Sequence, residues 1–319
     1  MLVLFLYLAV ASAYSPLPDD VVTNRTEWIK RAATTFRHKY VTHNGGINDH
    51  TFSTLPYITI TATNHVSDEA LHKAALDVSL VVRNMPDDVF NGIATSHGVG
   101  IFSKSEGMVV YPENAHLADT AACRGRCDGA CSYTCTVDNR KWATIAGLTN
   151  QRSSVLDDNV LCDAQDLYHH KENLLIHEFG HLTMRYMPKS WNSKKRRFWD
   201  VGILRSYSCF DISRRFSRPL LQILAAYSNA RSHRLWTLGV YGMVNADEYW
   251  AEATASFFMA IIRTGVTAGM NMCGTSSPCS SEAAARDYLR RHDPQLYEVL
   301  EYAYTNNRPQ IRSGLRPCI

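Results

Sequence analysis

Beyond its first residues the sequence has no long apolar run, no excess of charge of either sign, no internal repeat and no low-complexity stretch. Each absence removes a class of protein. After the N-terminus no stretch approaches the roughly 18 uninterrupted apolar residues of a membrane-spanning helix, so stable membrane insertion is not expected. The 33 Lys and Arg residues against 30 Asp and Glu leave a formal net charge of +3, too little to mark nucleic acid as a partner. Hydrophobic content of 45% and charged content of 20% are those of an ordinary folded chain, which excludes general disorder. At 319 residues it can bury a full core.

The first thirteen residues, MLVLFLYLAVASA, carry no Lys or Arg but end with small residues at alternate positions. This is the apolar segment and Ala-x-Ala site of a signal peptide over 1–13, with cleavage after Ala13 and a secreted, extracellular destination. Asn24-Arg25-Thr26 is then a glycosylation sequon. Nine cysteines fit an oxidising compartment, and being odd in number they leave one thiol free or paired between chains. Cys123, Cys127, Cys131 and Cys135 share one run, about 118–140, with CxxxC spacing. Structural zinc knuckles favour CxxC, so a disulfide-stapled loop is expected there, and Cys273 and Cys279 bracket another.

The organisation reads as α+β, a small sheet with helices followed by a mainly helical lobe. Residues 27–42 space Trp28, Ala32, Phe36 and Tyr40 as one face of a helix, within an N-terminal helical segment over 14–54. PYITITAT at 56–63 alternates as a strand, and Ser67 is placed to cap a helix running to about Arg83. Short strands are expected at 99–103, 108–111 and 142–148. Helices are expected at 173–186, 218–230, 247–263 and 281–304. A catalytic domain would then span 55–305, with a tail over 306–319.

The residues that carry chemistry begin with His177-Glu178-Phe179-Gly180-His181. Two imidazoles four positions apart on a helix are offset by about 40° and can close on one ion. A zinc ion there would lower the pKa of water, and Glu178 would take the proton as a carbonyl is attacked. Leu174, Leu175, Ile176, Phe179 and Leu182 supply apolar surface, and Gly180 permits close approach of another backbone.

The site needs a third ligand. The layout HExxHxxGxxH would require a glycine at 184 and a histidine at 187, where this chain has Met184 and Met187. The inverted motif HxxEH is absent. Asp247-Glu248-Tyr249-Trp250-Ala251-Glu252 matches the remaining layout, a glutamate from a second helix followed by an acid four residues on. Glu248 and Glu252 then share a face, one carboxylate for the ion and the other for the N–H of a ligating histidine. Exposed acids are the common fate of such spacing, but the aromatic setting of Tyr249, Trp250, Phe257 and Phe258 speaks against a solvated face.

These motifs resemble the gluzincin metallopeptidases of the anthrax lethal-factor type, the group that includes the Pro-Pro endopeptidases. The resemblance covers about 55–305 and rests on HEFGH and EYWAE. It implies a zincin-like fold with one Zn2+ per chain, held by His177, His181 and Glu248, with Glu178 as general base and Glu252 in support. It also implies that Tyr241, seven residues before Glu248, stabilises the developing oxyanion. The four-cysteine run and the long segment between His181 and Glu248 depart from the group, so no cleavage preference is carried over.

The expected function is a secreted zinc endopeptidase acting on protein or peptide substrates. The alternative is a disulfide-rich extracellular binding protein with a structural or relic zinc site, against which the intact Glu178 argues. Lys194–Arg197 reads as a solvated loop, and His169-His170 as a polar approach to the zinc helix. Oligomeric state is not legible.

Overall fold

The computed structural model describes residues 35–52, 54–136, 139–188, 218–273 and 277–315. The expected signal sequence, the Asn24 sequon, the start of the 27–42 helix, the basic run at 194–197, Cys209 and Cys318 lie outside the described residues.

Where the 27–42 helix was expected to continue, Phe36–Thr42 forms a strand, β1. Phe36 and Tyr40 fit either period. What decides is an antiparallel ladder running from Phe36↔Thr63 to Thr42↔Tyr57, which satisfies the backbone of both segments. A turn at Gly45, with φ of +82°, leads into the two-residue strand β2 (Ile47–Asn48). Strand β3 (Tyr57–Thr63) follows as its alternation predicts. The 14–54 segment is therefore not helical in its described part, and the sheet crosses the expected boundary at 55. The compact unit begins at Phe36.

Helix α1 (Asp68–Val82) opens where expected, with Ala70 N–H donating to Ser67 Oγ at 3.1 Å. Helix α2 (Asp87–Ile93) follows Pro86 and leads to β4 (Val99–Phe102), parallel to β3. Met108–Val110, expected as a strand, is a 3-10 turn. The chain here crosses the sheet face instead of joining it: the Tyr111 ring stacks on Phe36 at 5.7 Å, and its hydroxyl donates to Ile101 O at 2.7 Å.

The cysteine run folds as short 3-10 turns joined by Cys123–Cys131 and Cys127–Cys135, and a third disulfide joins Cys273 to Cys279. The strand expected at 142–148 begins as a 3-10 turn, Trp142–Thr144, and becomes β5 at Gly147–Thr149. Strand β6 (Ser153–Leu156) lies between β5 and β4, giving the sheet order β2-β1-β3-β4-β6-β5.

The helical part comprises α3 (Asp157–Leu161), α4 (Leu174–Tyr186), α5 (Arg218–Ser232) and α6 (Ala246–Phe257). It closes with α7 (Glu282–His292) and α8 (Pro294–Thr305). The helix expected over 247–263 stops at Phe257, because Met259 takes a left-handed φ of +53°. The helix expected over 281–304 breaks at Asp293, which caps α8, and Pro294 has no N–H with which to continue α7. The tail does not hang free: Ser313 N–H donates to Glu282 at 3.0 Å, and Arg83 donates to Ser313 O at 2.6 Å.

The chain is thus a mixed α+β fold with disulfides. Among the described residues no helix is long and apolar enough to cross a membrane. The core of the helical part gathers Phe179, Trp250, Phe257 and Tyr304, all fully buried, each worth about 2 kcal/mol of apolar transfer. It fixes α4 against α6.

Candidate metal centre

Helix α4 is held at its start before it presents any functional group. Asn173 Oδ1 accepts from Ile176 N–H at 3.3 Å, and Asn159 Oδ1 accepts from Leu174 N–H at 2.8 Å, so two of the unpaired donors of the first turn are satisfied. Leu174, Leu175, Ile176, Phe179 and Leu182 are buried, as the sequence suggested. At Gly180 an added Cβ would lie 3.1 Å from both Ala251 Cα and Thr254 Cβ, tighter than ordinary contact, so a side chain there would push α6 back by a few tenths of an ångström. The Trp250 indole N–H then donates to Gly180 O at 3.0 Å and locks the crossing. On α6, Asn245 caps the helix by accepting from Glu248 N–H at 2.8 Å, which orients the first turn toward α4.

The crossing brings three donor atoms together. His177 Nε2 lies 3.2 Å from His181 Nε2, and Glu248 Oε2 lies 3.3 Å from the first and 3.4 Å from the second. Tetrahedral zinc with ligands at about 2.05 Å has ligand–ligand edges of about 3.3–3.4 Å, so this triangle is one face of such a polyhedron. Glu248 Oε2 is buried without a hydrogen-bond partner, the position an ion would satisfy. The donor set, two nitrogens and one carboxylate oxygen, suits zinc.

Charge points the same way. The carboxylates of Glu172, Glu178, Glu248 and Glu252 gather around the two imidazoles, and Arg263 pairs directly with Glu172 at 2.6 Å. Burial opposes the charged form of His177, but Glu248, Glu252 and Glu178 outweigh it and push the imidazole up to about 10. Burial also works on Glu248, yet the two imidazoles hold its carboxyl well below the usual range. Such a cage favours a cation.

His177 Nδ1 faces the opposite way, 3.5 Å from Glu252 Oε1 and 3.8 Å from Glu172 Oε1. Glu178 extends toward the sheet, where Thr149 Oγ1 donates to its Oε2 at 2.7 Å. Its Oε1 sits where a Cβ on Gly147 would come within 2.7 Å, so Glu178 has its place because β5 carries a glycine there. Burial raises the Glu178 pKa, with the imidazoles opposing. Tyr241 lies in a 3-10 turn before α6, 46% exposed, its ring 6.2 Å from that of His177. Burial first, then the Glu248 carboxylate, keep its phenol protonated.

All six residues singled out in the sequence therefore lie in one place. His169 and His170 do not join them, and His170 Nε2 bonds Asp163 O at 2.7 Å. Thr149, Glu172 and Arg263 escaped the sequence reading. A threonine in a short strand and an acid just before a helix are ordinary, and only the folded chain puts them beside Glu178 and His177.

No protein-family model and no curated protein matches the sequence. Among solved structures the chain is similar to the Pro-Pro endopeptidase PPEP-2 from Paenibacillus alvei, at 17% identity and a TM-score of 0.38. The match covers 76% of this chain and 95% of that one.

Proposed function

We propose that the chain is a secreted zinc-dependent endopeptidase, with His177, His181 and Glu248 as the ligands of one zinc ion per chain. The observation that carries this reading is the tetrahedral spacing of their three donor atoms with the Glu178 carboxylate beside them. When bound, zinc supplies Lewis-acid activation of water and of a carbonyl oxygen.

The chain's own residues account for the rest. Glu178 accepts a proton at the carboxylate that Thr149 orients and later returns it to the leaving amine; burial strengthens its basicity for that role. Tyr241 donates its phenolic hydrogen bond to the charge that grows on the carbonyl oxygen, and burial, then the carboxylates around it, keep that proton in place. Glu252 aligns His177 through Nδ1. Strand β5 is the last of the sheet among the described residues and lies against Glu178, so an extended peptide can add beside it.

A structural or relic site in an extracellular binding protein would need no base, and the buried Glu178 beside the donors weighs against it. The deciding experiment is hydrolysis of a peptide library by the purified chain, with and without a chelator. Activity should vanish on chelation and fall about 10³-fold in Glu178→Gln, with zinc content and circular dichroism unchanged. A Glu178→Gln protein that cleaves as fast as the parent rules the mechanism out.

A further inference from the structure

On the Nδ1 side of His177, across Glu172 from the metal donors, lies a cavity of about 430 Å³ whose charge the mechanism does not use. One wall is the approach to α4, with Tyr168, His169 and Lys171, and the other is the segment after α6, with Ile262 and Arg263. The walls are tied together, Ile262 N–H donating to Lys171 O at 2.8 Å and Asn173 N–H to Ala260 O at 2.7 Å, so the cavity is a built feature.

Its lining is cationic. Lys171 is exposed and has no ion-pair partner among the described residues. Arg263 stacks on the Tyr168 ring at 5.1 Å and spends Nη1 on Glu172, while its side chain stays 36% exposed. No carboxylate lines the cavity, and Glu172, only 3% exposed, stands behind Arg263. Glu172 links the cavity to the centre, 2.6 Å from Arg263 on one side and 3.8 Å from His177 Nδ1 on the other.

We propose that this cavity is a recognition subsite for a carboxylate of the substrate, held by Lys171 and Arg263. The proposal rests on the peptidase reading and adds to it a class of substrate, peptides whose carboxylate reaches the cavity when they are bound at the centre. The carboxylate comes either from an Asp or Glu side chain or from a chain terminus. Arg263 keeps its N–H groups pre-oriented by Glu172 and Tyr168, and Lys171 adds a mobile second charge.

The test separates subsite from catalysis by measuring binding to the Glu178→Gln protein. Fluorescent peptides would differ only in Glu or Gln at each position flanking the bond, and in a free or amidated C-terminus. One carboxylate position should bind on the order of tenfold tighter than its neutral counterpart. Lys171→Glu should remove that preference while leaving affinity for the neutral peptides unchanged. A side-chain source shows in the Glu and Gln pairs, a terminal source in the amidated ones. Equal binding of charged and neutral peptides, no binding, or a preference that survives Lys171→Glu overturns the subsite. Chelator-sensitive hydrolysis by the parent without charge preference would end the subsite and leave the peptidase reading standing. Charge-selective binding with no hydrolysis would do the reverse.

Discussion

The α4–α6 crossing and the cysteine loop both gather polar atoms around a centre, but they fill that centre differently. In the loop the chain supplies its own cation. The Lys141 ammonium shares its three N–H groups among four acceptors, Asp119 Oδ1 at 2.8 Å, Cys123 O and Arg126 O at 2.6 Å each, and Thr134 Oγ1 at 2.8 Å. At the crossing, His177, His181 and Glu248 converge at similar spacing, and among the described residues the buried Glu248 Oε2 has no hydrogen-bond partner. Where the chain brings its own charge it builds a fixed staple, reinforced by two disulfides. Where His177, His181 and Glu248 converge, the proposed zinc ion would supply that charge. The scaffolds differ to match, short turns held by bonds against two long helices held by apolar packing.

The strongest way to break this comparison is to spoil the packing that makes the open site. Gly180→Val would drive methyl groups into Ala251 and Thr254 and part α4 from α6. Urea unfolding should show a loss of about 3 kcal/mol, with zinc affinity falling too, while protection in the cysteine loop stays as it was. Unchanged stability would mean the crossing is looser than its geometry implies.

A smaller effect is expected from emptying the other centre. Lys141→Met removes the ammonium and leaves Asp119 and two carbonyls without their donor. Amide exchange in the loop should speed up by an amount equivalent to about 2 kcal/mol, with zinc affinity unmoved. If zinc affinity falls with it, the two regions are not independent.

How much of this was legible follows from the same division. The capped, periodic segments were readable, because local signals and tertiary packing agree there: Ser67 before α1, the apolar face of α4, and the aromatic run of α6. The meeting of the three candidate donors was readable because helix spacing puts His177 and His181 on one face, and the capped, aromatic-lined α6 carries Glu248 toward it. The failures occur where tertiary context decides. Phe36 and Tyr40 fit a helix until β3 offers a ladder, and Met108–Tyr111 reads as a strand until Tyr111 folds over the sheet. The roles of Thr149, Glu172 and Arg263 exist only in three dimensions, and Lys141 carried no sign of its four acceptors.

The mildest prediction concerns an acid with a neighbouring acid in place of a cation. Burial, then Asp158, raise Asp157 at the start of α3 from 3.8 to about 6. The folded chain therefore holds that proton more tightly than the unfolded chain. This contribution to stability is present below 3.8 and is lost as pH rises toward about 6. Asp157→Asn should flatten that part of the pH dependence of the urea midpoint, a small effect because the group is half-exposed. An unaltered slope would place the dependence elsewhere.

The comparison turns finally on whether the open centre takes an ion, and zinc titration of metal-stripped protein against a competing chelator measures that directly. The parent should bind one equivalent per chain. Glu248→Gln should weaken binding about 100-fold or more with the fold retained, since one ligand of three is lost. No uptake of zinc by the parent, or equal affinity in the Glu248→Gln protein, would contradict the account.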